Sequence, residues 1–561
     1  MVRSCVDKEF NSEGNDQVLE LVNFVNGRIF SWPTRDWDEE EVVPPWRPLR
    51  ALVELAVLWQ LPLWFRIDFL PKFKEPRRVR VVVGPSPLAR IFQRIQQEIA
   101  LFEDAYSYLV EMFIEDIFSK RPAARAFEKF LRESKRMQND VFGNISDAAS
   151  LKYYLPKVLP IRGLTSIANI SPKDWEVALQ CVNSTPLAID SLLLVTNGMI
   201  LQAMDTIFRA YTARDIWFHT SWWFVQALGP LVSDLLLSVI RAHPLGKSTH
   251  TVLCVFHTQG SYGTILAALA KTSLPAVEQG VINRVLKNIE EVTLAKVRSS
   301  SRLNPATRSA LEGLINKTKT VFWADGRFET TKDLEMFYGP SYNSSESFFR
   351  EWVWTREKVQ GAIGTAQYAE ASRVHRMDTY RFGHYNPGLG VISMSVALIA
   401  PPFYYPKGTS AMLYGGLGFM YAEELVLALN SMLCLLKDGK VFLTEADSRL
   451  ELQSVPCPLW CPSAKDRTGV FPQLDATDIA YSAYVRFRDE ASDLPLKGLE
   501  IYSADQLFFI TACHSGCYVD RAGVLSNYPC TVALKKFEPL LRTFSCRRGY
   551  DADTTDLCDY I

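Results

Sequence analysis

Two glutamates stand side by side in an apolar stretch, Ala422-Glu423-Glu424-Leu425-Val426-Leu427. A carboxylate in such a setting is a candidate general base or an oxygen ligand for a metal. Neighbouring positions on a helix point about 100° apart, so the two carboxylates cannot simply chelate one ion together. Histidine, the usual partner in acid–base and zinc chemistry, occurs only seven times, and no two histidines are four residues apart. His243, His250 and His257 step by seven, which is the spacing of an ordinary helix face, and Pro244 interrupts the first step. The chain has eleven cysteines, with close spacings at Cys457-x3-Cys461 and Cys513-x3-Cys517. Structural zinc sites use about two to four intervening residues, so a zinc knuckle fits that spacing. Disulfides are the stronger reading, because seven of the cysteines fall from Cys457 onward and such clustering suits an oxidising compartment. Cys513-His514 is a contiguous pair with nothing around it to support a thiol protease, and a disulfide at Cys513 or Cys517 is the better reading. Neither a Gly-x-Ser-x-Gly elbow nor a Gly-x4-Gly-Lys-Ser/Thr loop is present.

The elements that would position these groups are mostly helical. Arg47–Gln60 has helical apolar spacing and ends before Pro62, while Arg78–Gly84 alternates charge and valine and reads as a short strand. Helices are expected over 87–119, 122–137, 277–297 and 305–320, and Ser171-Pro172 opens another as an N-cap with proline in the first turn. The run 331–390 is richer in Ser, Tyr, Gly and charge and reads as a junction. A strand-like run at 390–400, the turn Pro401-Pro402 and an apolar helix near 418–436 follow. The 561 residues are 48 % hydrophobic and 22 % charged, which excludes a disordered or fibrous chain. The charge sum, 61 − 62 = −1, offers no basic field for nucleic acid or an anionic membrane. Ile216–Ser233 is the best candidate for a membrane span, but it carries His219, Gln226, Gly229 and Pro230 and reads as a buried helix.

Residues 401–418 carry Pro401-Pro402-Phe403-Tyr404 and then Tyr414-Gly415-Gly416-Leu417-Gly418. Leu496-Lys497-Gly498-Leu499 through Gln506-Leu507-Phe508-Phe509 lies further on, after Ala480-Tyr481-Ser482-Ala483-Tyr484. Upstream stand Leu303-Asn304-Pro305-Ala306-Thr307-Arg308 and Trp32-Pro33. In order and approximate spacing these segments resemble the neprilysin and endothelin-converting-enzyme family of zinc metallopeptidases. The resemblance implies a mainly α fold with small β elements, a thermolysin-like zincin lobe plus a helical lobe around a central cavity. It divides the chain into an N-terminal helical region at 1–335, a junction at 336–380 and a peptidase-like region at 381–561.

The resemblance also places the family's His-Glu-x-x-His zinc helix. Its first ligand falls at Glu423, its general base at Glu424 and its second histidine at Leu427, with the aspartate that supports that histidine at Asn430. The third zinc ligand falls at Gly469 and its supporting aspartate at Gln473. The substrate-backbone Asn and Ala fall at Phe382 and Gly383, and the transition-state histidine near Asn527. Of these roles only that of Glu424 is retained in residue type, although Glu423 could donate an oxygen. The expectation is therefore a catalytically inactive homologue with no cofactor, binding peptides or a partner protein. The alternative is an active zinc endopeptidase that cleaves extracellular peptides with a remodelled metal site.

The family pattern pairs Cys5 with Cys254 and Cys558 with Cys457 or Cys461. It pairs Cys546 and Cys517 with two cysteines that would precede Cys5. Sequons start at Asn144, Asn169, Asn183, Asn316 and Asn343, and with the cysteines they favour the secretory route. The polar start, MVRSCVDKEF, is no signal peptide. The expectation is an extracellular protein, secreted or anchored, with its signal or anchor missing from this sequence and no span within it.

Overall fold

The computed structural model describes residues 14–28, 43–70, 79–86, 88–89, 107–108, 110–111, 124–150, 156–168, 170–182, 187–233, 237, 246–301, 303, 305–323, 326, 328–340, 348–374, 382–387, 389–437, 473–489, 493, 495–519 and 537–545. Two compact units partition the chain, and both are discontinuous in sequence. The first takes 1–263, 326–370 and 376–378; the second takes 264–325, 371–375 and 379–561.

The first unit has a four-stranded sheet, β1 (Phe65–Phe69), β2 (Val79–Pro85), β3 (Lys157–Pro160) and β4 (Leu192–Val195), in the order β1-β2-β4-β3. β2 runs parallel to β4, pairing Val83 with Val195, and the other two ladders are antiparallel. Apolar side chains crowd both faces of the central strands, as the all-valine end of β2 requires. Around the sheet lie α1 (Trp46–Val57), α2 (Ala124–Val141), α3 (Pro172–Gln180) and α4 (Ala213–Leu228). α3 starts as its sequence dictates, the Ser171 hydroxyl accepting a hydrogen bond from Lys173 N at 3.2 Å. α4 starts with a capping box between Thr212 and Asp215. From Ile216 on it is buried almost all round, which accounts for an apolarity that could have signalled a membrane span. Within it Trp223 stacks on Phe142 at 4.5 Å, and Gln226 exchanges two amide hydrogen bonds with Gln138. His219 is buried there too, with no hydrogen-bond partner for either ring nitrogen among the described residues. α5 (Gly246–Ser273), whose backbone breaks from helical geometry at Tyr262, carries His250 and His257 in its first part; His257 is buried with Nε2 3.1 Å from Ala227 O. His243 lies outside the described residues.

Asn144 sits in a π-helical turn, Phe142–Ser146. Cys254 is buried, and Cys181 is a half-buried free thiol. Cys517 lies within the described residues, whereas Cys5, Cys457, Cys461, Cys546 and Cys558, also named for pairing, lie outside them, as do Asn169, Asn183 and Asn343.

The second unit has a three-stranded sheet, β5 (Lys319–Val321), β6 (Gly383–Asn386) and β7 (Val391–Met394), in the order β5-β7-β6. β5 is parallel to β7 and β6 antiparallel to it, so β6 is an edge strand among those described. α6 (Ala276–Ser299) and α7 (Pro305–Lys317) precede this sheet. The helix expected over 305–320 therefore stops at Lys317. Lys319 N bonds Gly390 O at 3.1 Å instead, because β7 offers a ladder that a further helical turn could not use. Ser410–Ser431 is long and apolar enough to cross a membrane, but 78 % of that window is buried inside the molecule, so its apolarity serves the core.

Candidate functional site

The segment after β7 runs through a short 3₁₀ turn, Val396–Ile399, and a cis Pro401-Pro402 bond to Phe403. A π-helical turn, Tyr414–Gly418, then leads into α8 (Phe419–Lys437). The glycines of that turn have a steric reason. A Cβ on Gly416 would lie 2.2 Å from Phe403 O, and one on Gly415 2.4 Å from Phe508 O. The backbones thus approach closer than any side chain allows, and Leu417 N uses the approach to bond Phe403 O at 2.9 Å. α9 (Gln473–Phe487) and α10 (Ala504–Val519) pack on this region; Tyr484 stacks on Phe508 at 5.4 Å.

Tyrosine hydroxyls tie the same segment to α6. Tyr404 donates to Glu278, Tyr414 accepts from Asn288 Nδ2 at 2.6 Å, and Tyr421 donates to Glu290 Oε1 at 2.6 Å. Tyr421 Oη also lies 2.7 Å from Thr320 Oγ1 on β5. Burial raises the Glu290 carboxyl above its ordinary range against the opposing hydrogen bond from Tyr421. Burial likewise pushes the Tyr421 phenol well up, with the neighbouring Glu290 adding to it. At neutral pH Tyr421 therefore stays a donor.

α8 presents Glu423, Leu427 and Asn430 at spacings of four and three, which is one helix face. Glu424 is 4 % exposed and leans over the start of β6, where a Cβ on Gly383 would lie 2.4 Å from Glu424 Cγ. Gly383 thus leaves the room that the Glu424 side chain fills. Phe382 packs against Phe403 with the rings tilted at 56° and 4.5 Å apart, and its carbonyl accepts from Ser395 N at 2.6 Å. Gln473, the first residue of α9, donates from Nε2 to Glu423 Oε1 at 3.2 Å. Asn430 is 6 % exposed, and its Oδ1 has no donor among the described residues. Four of the positions singled out by sequence, Glu423, Gln473, Glu424 and Gly383, therefore meet in two contacts, on the same α8 that carries Leu427 and Asn430. Gly469 and Asn527 lie outside the described residues. Among the described residues no three His, Cys, Asp or Glu side chains come together as a metal-binding group.

Sequence reasoning named Glu423 and Gln473 separately and missed their bond, which spans 50 residues. It also missed the Tyr421 hydroxyl as a tether, although Tyr414 and Tyr421 are seven apart and so share a helix face.

No protein-family model and no curated protein sequence matches the chain. Solved structures do. An inhibitor complex of the Mycobacterium tuberculosis zinc metalloprotease Zmp1 aligns over 97 % of this chain and 85 % of its own, at 13 % identity and a TM-score of 0.54. PepO from Lactobacillus rhamnosis HN001 aligns over 97 % and 90 %, at 12 % identity and a TM-score of 0.56. A Haemonchus galactose-containing glycoprotein complex aligns over 97 % and 85 %, at 13 % identity and a TM-score of 0.56. At such identities the likeness is one of fold, and the fold is that of the neprilysin-like, PepO-like metalloproteases.

Proposed function

We propose that the chain is a metalloendopeptidase homologue without catalysis, which binds an extended peptide or partner segment. The observation that carries this is the contact between Glu423 and Gln473 beside Leu427. A catalytic zinc needs about three side-chain ligands and an open water position. The α8 face offers one carboxylate, already accepting a hydrogen bond, and an aliphatic side chain where a second ligand would stand. The buried Asn430 Oδ1 adds to this: it is an acceptor placed to orient an imidazole N–H, and neither 423 nor 427 supplies one. These residues do not fit zinc. Without the ion Glu424 has no metal-bound water to deprotonate, and it sits instead as a buried carboxylate against Gly383.

The binding part of this reading is supported by the fold, which is similar to that of solved metalloproteases. An extracellular setting is supported by the cysteine-rich stretch from Cys457 onward and the five sequons, and one structure of the same fold is a galactose-containing glycoprotein complex.

The test is elemental analysis of the purified chain after incubation with zinc, paired with cleavage of a mixed peptide library. The expectation is no bound zinc above the level of a nonspecific control and no chelator-sensitive cleavage. About one zinc per chain together with chelator-sensitive cleavage would overturn the proposal in favour of the remodelled active site.

A further inference from the structure

Two of the five sequons lie among the described residues, and the fold treats them in opposite ways. Asn144-Ile145-Ser146 is wholly inside the π-helical turn Phe142–Ser146. The Asn144 side-chain amide is engaged, donating one N–H from Nδ2 to Asp140 O at 2.7 Å. Ser146 is fully buried, and its hydroxyl donates to Ala89 O at 3.1 Å. Ile145 is buried as well. A glycan on Asn144 would replace one hydrogen of the same Nδ2 that bonds Asp140, and would have to leave from a half-buried side chain.

Asn316-Lys317-Thr318 is at the other extreme. Asn316 and Lys317 are exposed in the last turn of α7. The buried face of α7 belongs to Ala310, Leu311 and Ile315, which pack with Val297 and Leu429. Asn316 is one residue on from Ile315, so its side chain points about 100° away from that face. The chain leaves the helix at Thr318 and enters β5 at Lys319. Glycan transfer needs the Thr318 hydroxyl only before the chain folds. After folding, what the structure must tolerate is a bulky polar group on the asparagine amide, and Asn316 presents that amide to solvent.

We propose that Asn316 carries an N-linked glycan in the folded protein and that Asn144 does not. The modification itself rests on the extracellular reading above, whereas the ranking of the two sequons rests on geometry alone.

The test expresses the full chain behind a cleavable signal peptide in mammalian cells. Protein from the medium is treated with an amide-cleaving glycosidase in heavy-oxygen water, and the peptides are mapped by mass spectrometry. The expected result is heavy-oxygen Asp at 316 and unmodified Asn at 144. Asn316→Gln and Thr318→Ala should each remove the same single glycan step from the gel mobility, and Thr318→Ser should keep it. Secreted protein with unmodified Asn316, or with a glycan on Asn144, would overturn the proposal. Localisation of the endogenous protein, by antibody detection in fractions of the cells that make it, tests the extracellular reading separately. Protein confined to the cytosol would sink that reading while leaving the ranking of the two sequons to the secreted fusion.

Discussion

The turn Tyr414–Gly418 and the helix face that follows it, Glu423 to Asn430, lie within one continuous helical run and are constrained in different ways. In the turn, backbone meets backbone: Gly416 lies under Phe403 O and Gly415 under Phe508 O, with no room for a methyl group at either. On the face, side chains meet side chains. Glu423 reaches Gln473, Glu424 fills the space over Gly383, and Leu427 packs as any core residue would. Backbone approach leaves a residue no substitute, whereas a side-chain contact can be rebuilt with other groups. The turn is therefore fixed by the fold more tightly than the helix face, where other side-chain contacts can take over.

The largest effect should come from the turn. Gly416→Ala puts a methyl group against Phe403 O and threatens the Leu417–Phe403 hydrogen bond. Overpacking at a site with no flexible neighbour costs about 3 kcal/mol, and a drop in denaturant midpoint would show it. A cost near zero would mean that the turn relaxes freely and that the contrast with the helix face is unfounded.

What was legible in sequence divides along the same line. The Ser171 cap and the valine-rich β2 were readable because their causes are local, a hydroxyl two residues from an amide and an alternating pattern. The glycine run at 414–418 was recognisable as a motif, but its cause was not, since Phe508 O lies about 90 residues downstream. The edge position of β6 and the early end of α7 depend on β7, far from β5 in sequence, and no periodicity announces them. The candidate site was legible as a set of positions. The Glu423–Gln473 bond was not, because no local rule tells an amide which carboxylate it will meet across two helices.

The next effect lies outside both regions and asks whether the helix face carries much of the fold's stability in acid. His219 and His257 in the first unit are buried, and burial pushes each imidazole down to about 3, with Arg356 adding to the effect at His257. Above about pH 6.5 both are neutral folded and unfolded, and they contribute nothing to pH dependence. Below it the unfolded chain binds protons that the folded chain refuses, so stability falls as pH falls, by about 1.4 kcal/mol per pH unit for each histidine. At pH 5 that is about 2 kcal/mol for the one histidine that the variant below removes. Melting temperature measured from pH 7 to pH 5 should fall, and His219→Leu should flatten the slope. An unchanged slope would shift the acid limit to other groups, with the helix face among them.

A third test rebuilds the face. The double variant Glu423→His, Leu427→His places two imidazoles one helical turn apart, with the Asn430 Oδ1 available to accept an N–H. Without metal it should lose about 1–2 kcal/mol, since a polar ring replaces a buried leucine. With zinc at 100 times its dissociation constant it should regain about 2.7 kcal/mol. Calorimetry with and without a chelator reads both. A folded double variant with no zinc-dependent shift would show that positions 423 and 427 cannot share an ion, and the contrast between a fixed scaffold and an adaptable site would lose its second half.

The smallest effect probes the contact that now occupies the face. Glu423→Ala or Gln473→Ala removes one partner of a partly exposed, charge-assisted hydrogen bond, at a cost of about 1 kcal/mol each. Because both side chains act through the same bond, the double variant should cost less than the sum, with a coupling of about 0.5–1 kcal/mol in a double-mutant cycle. Coupling of that size would mean that this bond, rather than an ion, holds the start of α9 to α8. Zero coupling would mean that the two side chains merely lie near one another and that helix packing alone joins the two elements. In the first case the contact has a structural role of its own, and stability gives Glu423 a reason to remain a carboxylate.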